Sequence, residues 1–231
     1  MGKWGGVNYD FKTLIKEADV REFLAADLDL PSVPKDGRNF LREAGQRFAK
    51  QSAAIFRRSQ FEGEVEVTSY PSASMPWYAD REIRFLIWPG DLVIEGDLLD
   101  SDFSMMPMLI VRGDLIVRHW LRGDMPAFIG GQVKASGFII GHYNDSALFV
   151  GGDLTAEGYL SRARPYRDRP NVAPHQIAGK IQARQFDLYD APEEKLRAAF
   201  VDEVLVQEDE DTFLEEPAVF ARFNEGLTVW R

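Results

Sequence analysis

The chain contains no cysteine and only three histidines among its 231 residues. Disulfides, thiolate nucleophiles and cysteine-ligated zinc are therefore excluded. His119, His142 and His175 share neither the i, i+4 spacing of a zinc-binding helix nor a common place in the repeat described below, so no metal or cofactor is expected. Long apolar runs are also missing. No stretch approaches the ~18 residues of a membrane span, and the opening MGKWGGVNYDFKTLIKEADV lacks the apolar centre of a signal peptide. A cytoplasmic protein with no membrane partner is the expectation. Positive charge is in short supply: 27 Lys and Arg stand against 37 Asp and Glu, a net charge of −10. Duplex nucleic acid needs clustered cations and is not an expected partner, whereas a basic protein is a compatible one. Nucleophile-elbow, Walker and Rossmann signatures are absent as well.

What is present is a chain with 45% hydrophobic residues, enough for a sizeable core. Periodicity divides it into three parts. Residues 1–60 carry apolar residues at helical spacing, such as Phe40, Leu41, Ala44, Phe48 and Ile55, and are expected to form an N-terminal helical cap with a turn at PSVPKDG. Residues 191–231 give a second helical segment, EEKLRAAFVDEVL and PAVFARFNEGL, interrupted by the acidic QEDEDTFLEE. Between them, residues 61–190 are short β-prone runs punctuated by Gly, Asp and Pro.

The middle part repeats itself. LVIEGDLLD, LIVRGDLIV, AFIGGQVKA, LFVGGDLTA and HQIAGKIQA align on Gly96, Gly113, Gly131, Gly152 and Gly179, with aliphatic residues two before and two after each glycine. Seven residues after each comes an aromatic: Phe103, Trp120, Phe138, Tyr159 and Phe186. Units this short, with strand composition and no internal helix, predict a mainly β fold, a parallel β-solenoid of about five coils stacked ~4.8 Å apart. The aromatics are then expected as one internal column, with the helical ends covering the open edges. FEGEVEVTS at 61–69 is an additional strand or an irregular first coil, and FLIWPGDLV at 85–93 supplies a neighbouring corner within a coil.

Three features are candidates for function. Asp97, Asp114 and Asp153 each follow a repeat glycine and would line up if the coils stack. Gly-Asp is an ordinary turn pair, so this row is first structural and only second a hydrolase or lyase site. SRARPYRDRPNVAPH holds Arg162, Arg164, Arg167 and Arg169 and reads as a protruding loop, either a solvated crossover or a binding element. Glu208, Asp209, Glu210 and Asp211, with Glu215 and Glu216 close by, form an acidic run that is either a linker or a surface for a basic partner.

LIVRGDLIV, HYNDSALFVGGDLTAEGYL and the closing EGLTVWR resemble a group of bacterial cytoplasmic proteins with short β-solenoids, some of them similar to immunity proteins of secreted polymorphic toxins. The resemblance spans residues 85–231 and implies a non-enzymatic protein that binds and occludes a toxin. The Gly-Asp-Leu units also resemble bactofilins, which implies a self-assembling scaffold, although helical ends would obstruct end-to-end stacking.

Overall fold

The computed structural model describes residues 11–48, 52–67, 83–100, 107–141, 147–162, 173–208 and 211–231, without the side chains of 11–13. It is mainly β, built from parallel sheets with a few helices. The chain enters through helix α1 (Phe11–Lys16), strand β1 (Ala18–Glu22), a 3-10 turn (Ala25–Leu28) and helix α2 (Lys35–Arg47). It then winds. The first winding comprises β2 (Ser52–Phe56), β3 (Gln60–Phe61) and β4 (Val65–Val67), and the second β5 (Ile83–Trp88), β6 (Leu92–Ile94) and β7 (Leu98–Asp100). The third holds β8 (Met108–Val111), β9 (Leu115–Val117) and β10 (Trp120–Arg122), and the fourth β11 (Ala127–Ile129), β12 (Val133–Ala135) and β13 (Phe138–Gly141). In the fifth, β14 (Leu148–Val150) is followed by the long β15 (Leu154–Ser161), and in the sixth β16 (His175–Ile177) by β17 (Ile181–Asp187). The pairings give six windings where the repeat alone predicts about five, because the 52–67 region completes one of its own.

Each strand pairs in parallel with its counterpart one winding on, so equivalent side chains stack in three faces. On the first face Leu86, Leu109, Ala127 and Leu148 form an interior column ending at His175. On the second Leu92, Leu115, Val133, Leu154 and Ile181 do the same. These residues form a single apolar core, most of them without solvent exposure. First-face strands are buried on both sides, which is why they read as LIV, AFI and LFV, whereas the second-face strands alternate. The outward first-face residues Ile110, Phe128 and Phe149 lie under α2 through Leu41 and Ala44.

The repeated glycine has a direct physical reason. A Cβ at Gly113 would stand 2.0 Å from Asp91 Oδ1, at Gly131 2.2 Å from Asp114 Oδ1, and at Gly179 2.1 Å from Asp153 Oδ1. Each carboxylate folds over the glycine of the next winding and accepts the N–H that follows it: Asp114 to Asp91, Gln132 to Asp114 and Lys180 to Asp153, at 2.7, 3.0 and 2.8 Å. Gly-Asp therefore couples neighbouring windings: the aspartate satisfies a corner amide, and the glycine leaves it room.

This ladder corrects two expectations. The column runs Gly90, Gly113, Gly131, Gly152, Gly179, joined by successive amide-to-carbonyl bonds, so its second-winding member is Gly90 and not Gly96. Gly96 belongs to the next corner, where its carbonyl accepts Arg118 N–H and a Cβ would meet Gly63 O at 2.1 Å. The internal aromatic column is not formed either. Trp120 pairs with Ile139 and Tyr159 with Ile139, whereas Phe138 pairs with Gly158 and Phe186 with Leu160. The fourth winding spends one more residue at its second corner than the third does: Val117 matches Ala135 but Trp120 matches Ile139. That slip turns Phe138 outward, since a one-residue shift in a strand reverses its faces. Trp120 and Tyr159 remain in the interior, Phe138 and Phe186 lie beneath the C-terminal segment, and Phe103 is outside the described residues.

The ends also differ from two helical caps. Ala18–Glu22 and Ser52–Phe56, inside the stretch expected to be helical, are strands, with β1 antiparallel along the edge of β2. After Ser52 the strand SAAIF is a continuous apolar run and carries no period that separates strand from helix. Among the described residues α1 closes the first winding, inserting Leu14 and Ile15 beside Phe56, Phe61 and Val65. At the other end, helix α3 (Glu193–Ala199), a 3-10 turn (Asp202–Val204), β18 (Leu205–Glu208), β19 (Asp211–Leu214) and helix α4 (Glu216–Asn224) lie along the third face. Leu196, Phe200, Val204, Val219 and Phe220 pack there on Phe138, Ile140 and Leu160.

Candidate binding surface

The acidic run is a β-hairpin and not a linker. β18 and β19 pair antiparallel as Leu205↔Leu214, Val206↔Phe213, Gln207↔Thr212 and Glu208↔Asp211. Alternation assigns the two faces: Thr212 and Leu214 are buried, and Leu205 is half-buried, on the third-face packing. The opposite face carries Val206 and Phe213, each 36% exposed, with Glu208 and Asp211 beyond them. Like charges directly opposite across two strands destabilise a hairpin, and an exposed apolar pair adds nothing to its packing. Among the described residues neither Glu208 nor Asp211 is in an ion pair, although acids nearby are matched: Glu193 and Asp202 by Arg197, Glu203 by Arg222, and Asp202 also by Arg231. The arginine hydrogen bond holds the Glu193 carboxyl below its ordinary value.

Arg162 stands close to this hairpin. With Leu188, Asp190, Asp211 and Phe213 it lines a surface cleft of about 470 Å³ beside α3. Part of the basic segment and part of the acidic run thus meet at one place. Arg164, Arg167 and Arg169, like Asp209 and Glu210, lie outside the described residues. Glu215 and Glu216 have a local role: they open α4, where negative charge favours the helix N-terminus, and Glu215 N–H donates to Val204 O at 2.9 Å.

Comparison with known proteins finds no matching family model, curated protein or solved structure.

The aspartate row does not assemble as expected. Asp114 and Asp153 are engaged with backbone amides, as above, and Asp97 lies at a different corner, fully buried and paired bidentately with Arg118 at 2.8 and 3.1 Å. The hydrogen bond to Asp97 raises the Arg118 guanidinium further, while burial, with Asp97 adding to it, raises the neighbouring Glu64. Asp114 and Asp153 share one corner but stand two windings apart, Asp97 is at another, and each is already bonded to a protein group, so the three are not brought together on one substrate.

Two buried polar groups were not visible in the sequence. His119 is fully buried. Its Nδ1 accepts Phe138 N–H at 3.0 Å, so its proton sits on Nε2 and points to Asn224 Oδ1 at 3.2 Å, while the ring stacks on Phe220 at 4.2 Å. Burial lowers its pKa, against the opposing pull of Asp97. At the third corner Arg122, 1% exposed, donates to Ala147 O at 2.7 Å and reaches His175 Nε2 at 3.1 Å. Tyr159 Oη lies 2.5 Å from His175 Nδ1, and burial lifts the Tyr159 phenol to about 12, so it stays protonated. No spacing announces either group; each needs the windings to be stacked. His142 is outside the described residues, and among the described residues no set of three or more His, Asp and Glu side chains is placed to hold a metal ion. No helix of the described residues is long and apolar enough to cross a membrane.

Proposed function

We propose that this chain is a short parallel β-solenoid that works as a non-enzymatic protein-binding protein, docking a basic partner on its acidic hairpin, and that the partner is a toxin domain which the chain occludes as an immunity protein. The observation that carries the binding reading is the Glu208↔Asp211 acid pair set beside the exposed Val206↔Phe213 pair. Both features cost the free protein stability, and both are relieved when a cationic, partly apolar surface covers them. The immunity assignment rests on the sequence resemblance.

The test is binding to the product of a toxin gene encoded beside this one. Glu208→Gln with Asp211→Asn should slow association about several-fold at low salt and less at high salt. Val206→Ser with Phe213→Ser should instead speed dissociation. No binding removes the immunity assignment, and binding indifferent to all four changes removes the hairpin.

The sixth winding favours one alternative, a self-assembling scaffold. Ile177, Ile181 and Ala183 line its interior yet stay partly exposed, and among the described residues no strand pairs beyond β16 and β17. Sedimentation showing concentration-dependent polymers that a proline at Gln182 dissolves would favour that reading.

A further inference from the structure

The segment that covers the first face also forms a half-open cavity of about 670 Å³ between the Ala25–Leu28 turn and α2, within the range of small-ligand clefts. Its walls are apolar at Phe23, Leu28 and Leu30. Phe23 is anchored edge-on against Phe85 at 4.7 Å, and Gly45 lets Leu28 lie close against α2, since a Cβ there would stand 2.8 Å from Leu28 Cδ1. Arg38 and Arg42, one helical turn apart on α2, reach the same cavity. Arg38 Nη1 donates to Pro31 O at 3.1 Å and Arg42 Nη1 to Asn39 Oδ1 at 3.2 Å, so each guanidinium is oriented by one bond and keeps other N–H groups to offer. Among the described residues neither is in an ion pair, in a chain of net charge −10, while the neighbouring Arg21 and Arg112 both pair with Asp27. Asp29 shares the rim, so two cations less one anion leave the lining with a net positive charge.

We infer that this cavity binds a small amphiphilic carboxylate, its hydrocarbon body against Phe23, Leu28 and Leu30 and its carboxylate on Arg38 and Arg42. Charge-assisted arginine contacts fix the head group, and the apolar walls exclude water from the tail. This site is on the first face, apart from the third-face hairpin, and does not depend on partner binding there.

Isothermal titration of the full chain with decanoate, and with decanol as the neutral control, tests it. Decanoate should bind saturably at one site, roughly tenfold or more tighter than decanol. Arg42→Gln, which removes a bond only to Asn39, should weaken decanoate roughly fivefold or more and leave decanol unchanged, while Asp29→Asn should tighten decanoate. Equal affinity for decanoate and decanol, no saturable binding at millimolar concentration, or an Arg42→Gln protein that binds as before would overturn the proposal. So would a dimer that Arg42→Gln dissociates, which would assign the cavity to a second copy of the chain.

Discussion

Arg122, in the third winding, donates to Nε2 of His175, in the sixth, at 3.1 Å. Because a guanidinium can only donate, Nε2 is the acceptor and the ring proton lies on Nδ1, facing Tyr159 Oη and Ser161 Oγ. A second Nη of Arg122 holds Ala147 O, and its guanidinium carbon lies 5.0 Å from the Trp120 ring. One buried cation therefore ties the last winding to the middle of the stack. Arg122→Ala should lower stability in urea by about 3–5 kcal/mol, and hydrogen exchange should show the 175–187 strands opening first. Arg122→Lys should not restore it, because one ammonium cannot span both acceptors in the same planar geometry.

Gly90 and Gly113 occupy equivalent corners but have different surroundings. Nothing lies within 4 Å of a Cβ at Gly90, whereas one at Gly113 would displace Asp91 from the Asp114 amide. Gly113→Ala should cost about 2–4 kcal/mol and Gly90→Ala no more than about 0.5 kcal/mol, both read from urea midpoints. Equal effects would remove the carboxylate-over-glycine account of the repeat.

His119 makes stability depend on pH. Burial lowers its pKa, so below the ordinary value near 6.5 the unfolded chain takes up a proton that the folded chain resists. The stability associated with neutral His119 is fully present above about 6.5 and is lost as pH falls toward the depressed folded value, at up to ~1.4 kcal/mol per pH unit. His119→Gln keeps an acceptor for Phe138 N–H and should flatten that acid limb. An unchanged limb would assign it to other groups.

Phe138 is fully buried on the outward side of β13, 5.8 Å from Trp230 and 5.7 Å from Phe223. Phe138→Ala should cost about 3–5 kcal/mol and loosen the C-terminal segment before the windings. Hydrogen exchange accelerated in β13 and its paired strands, but not in residues 216–230, would contradict this placement.

The sequence by itself determined the class of structure: short β-prone units that each repeat one glycine read as stacked parallel strands, and the spacing of LIVRGDLIV, AFIGGQVKA and LFVGGDLTA specifies which strands pair. It also placed acid at 208–216 and marked it as surface. Register was beyond its reach. Aligning on Gly96, where Gly90 is the true member, and extending the alignment through a corner of fixed length put Phe138 inside, because a single added residue at a turn costs little chain entropy yet reverses every side chain that follows. Tertiary structure alone decided that the acidic run folds into a hairpin and that α2 and the C-terminal segment cover sides of the stack. It also brought Arg122 to His175 and Arg38 and Arg42 to one cavity. Those outcomes depend on which apolar faces remain uncovered after the windings close, a property of the assembled surface that no local pattern encodes.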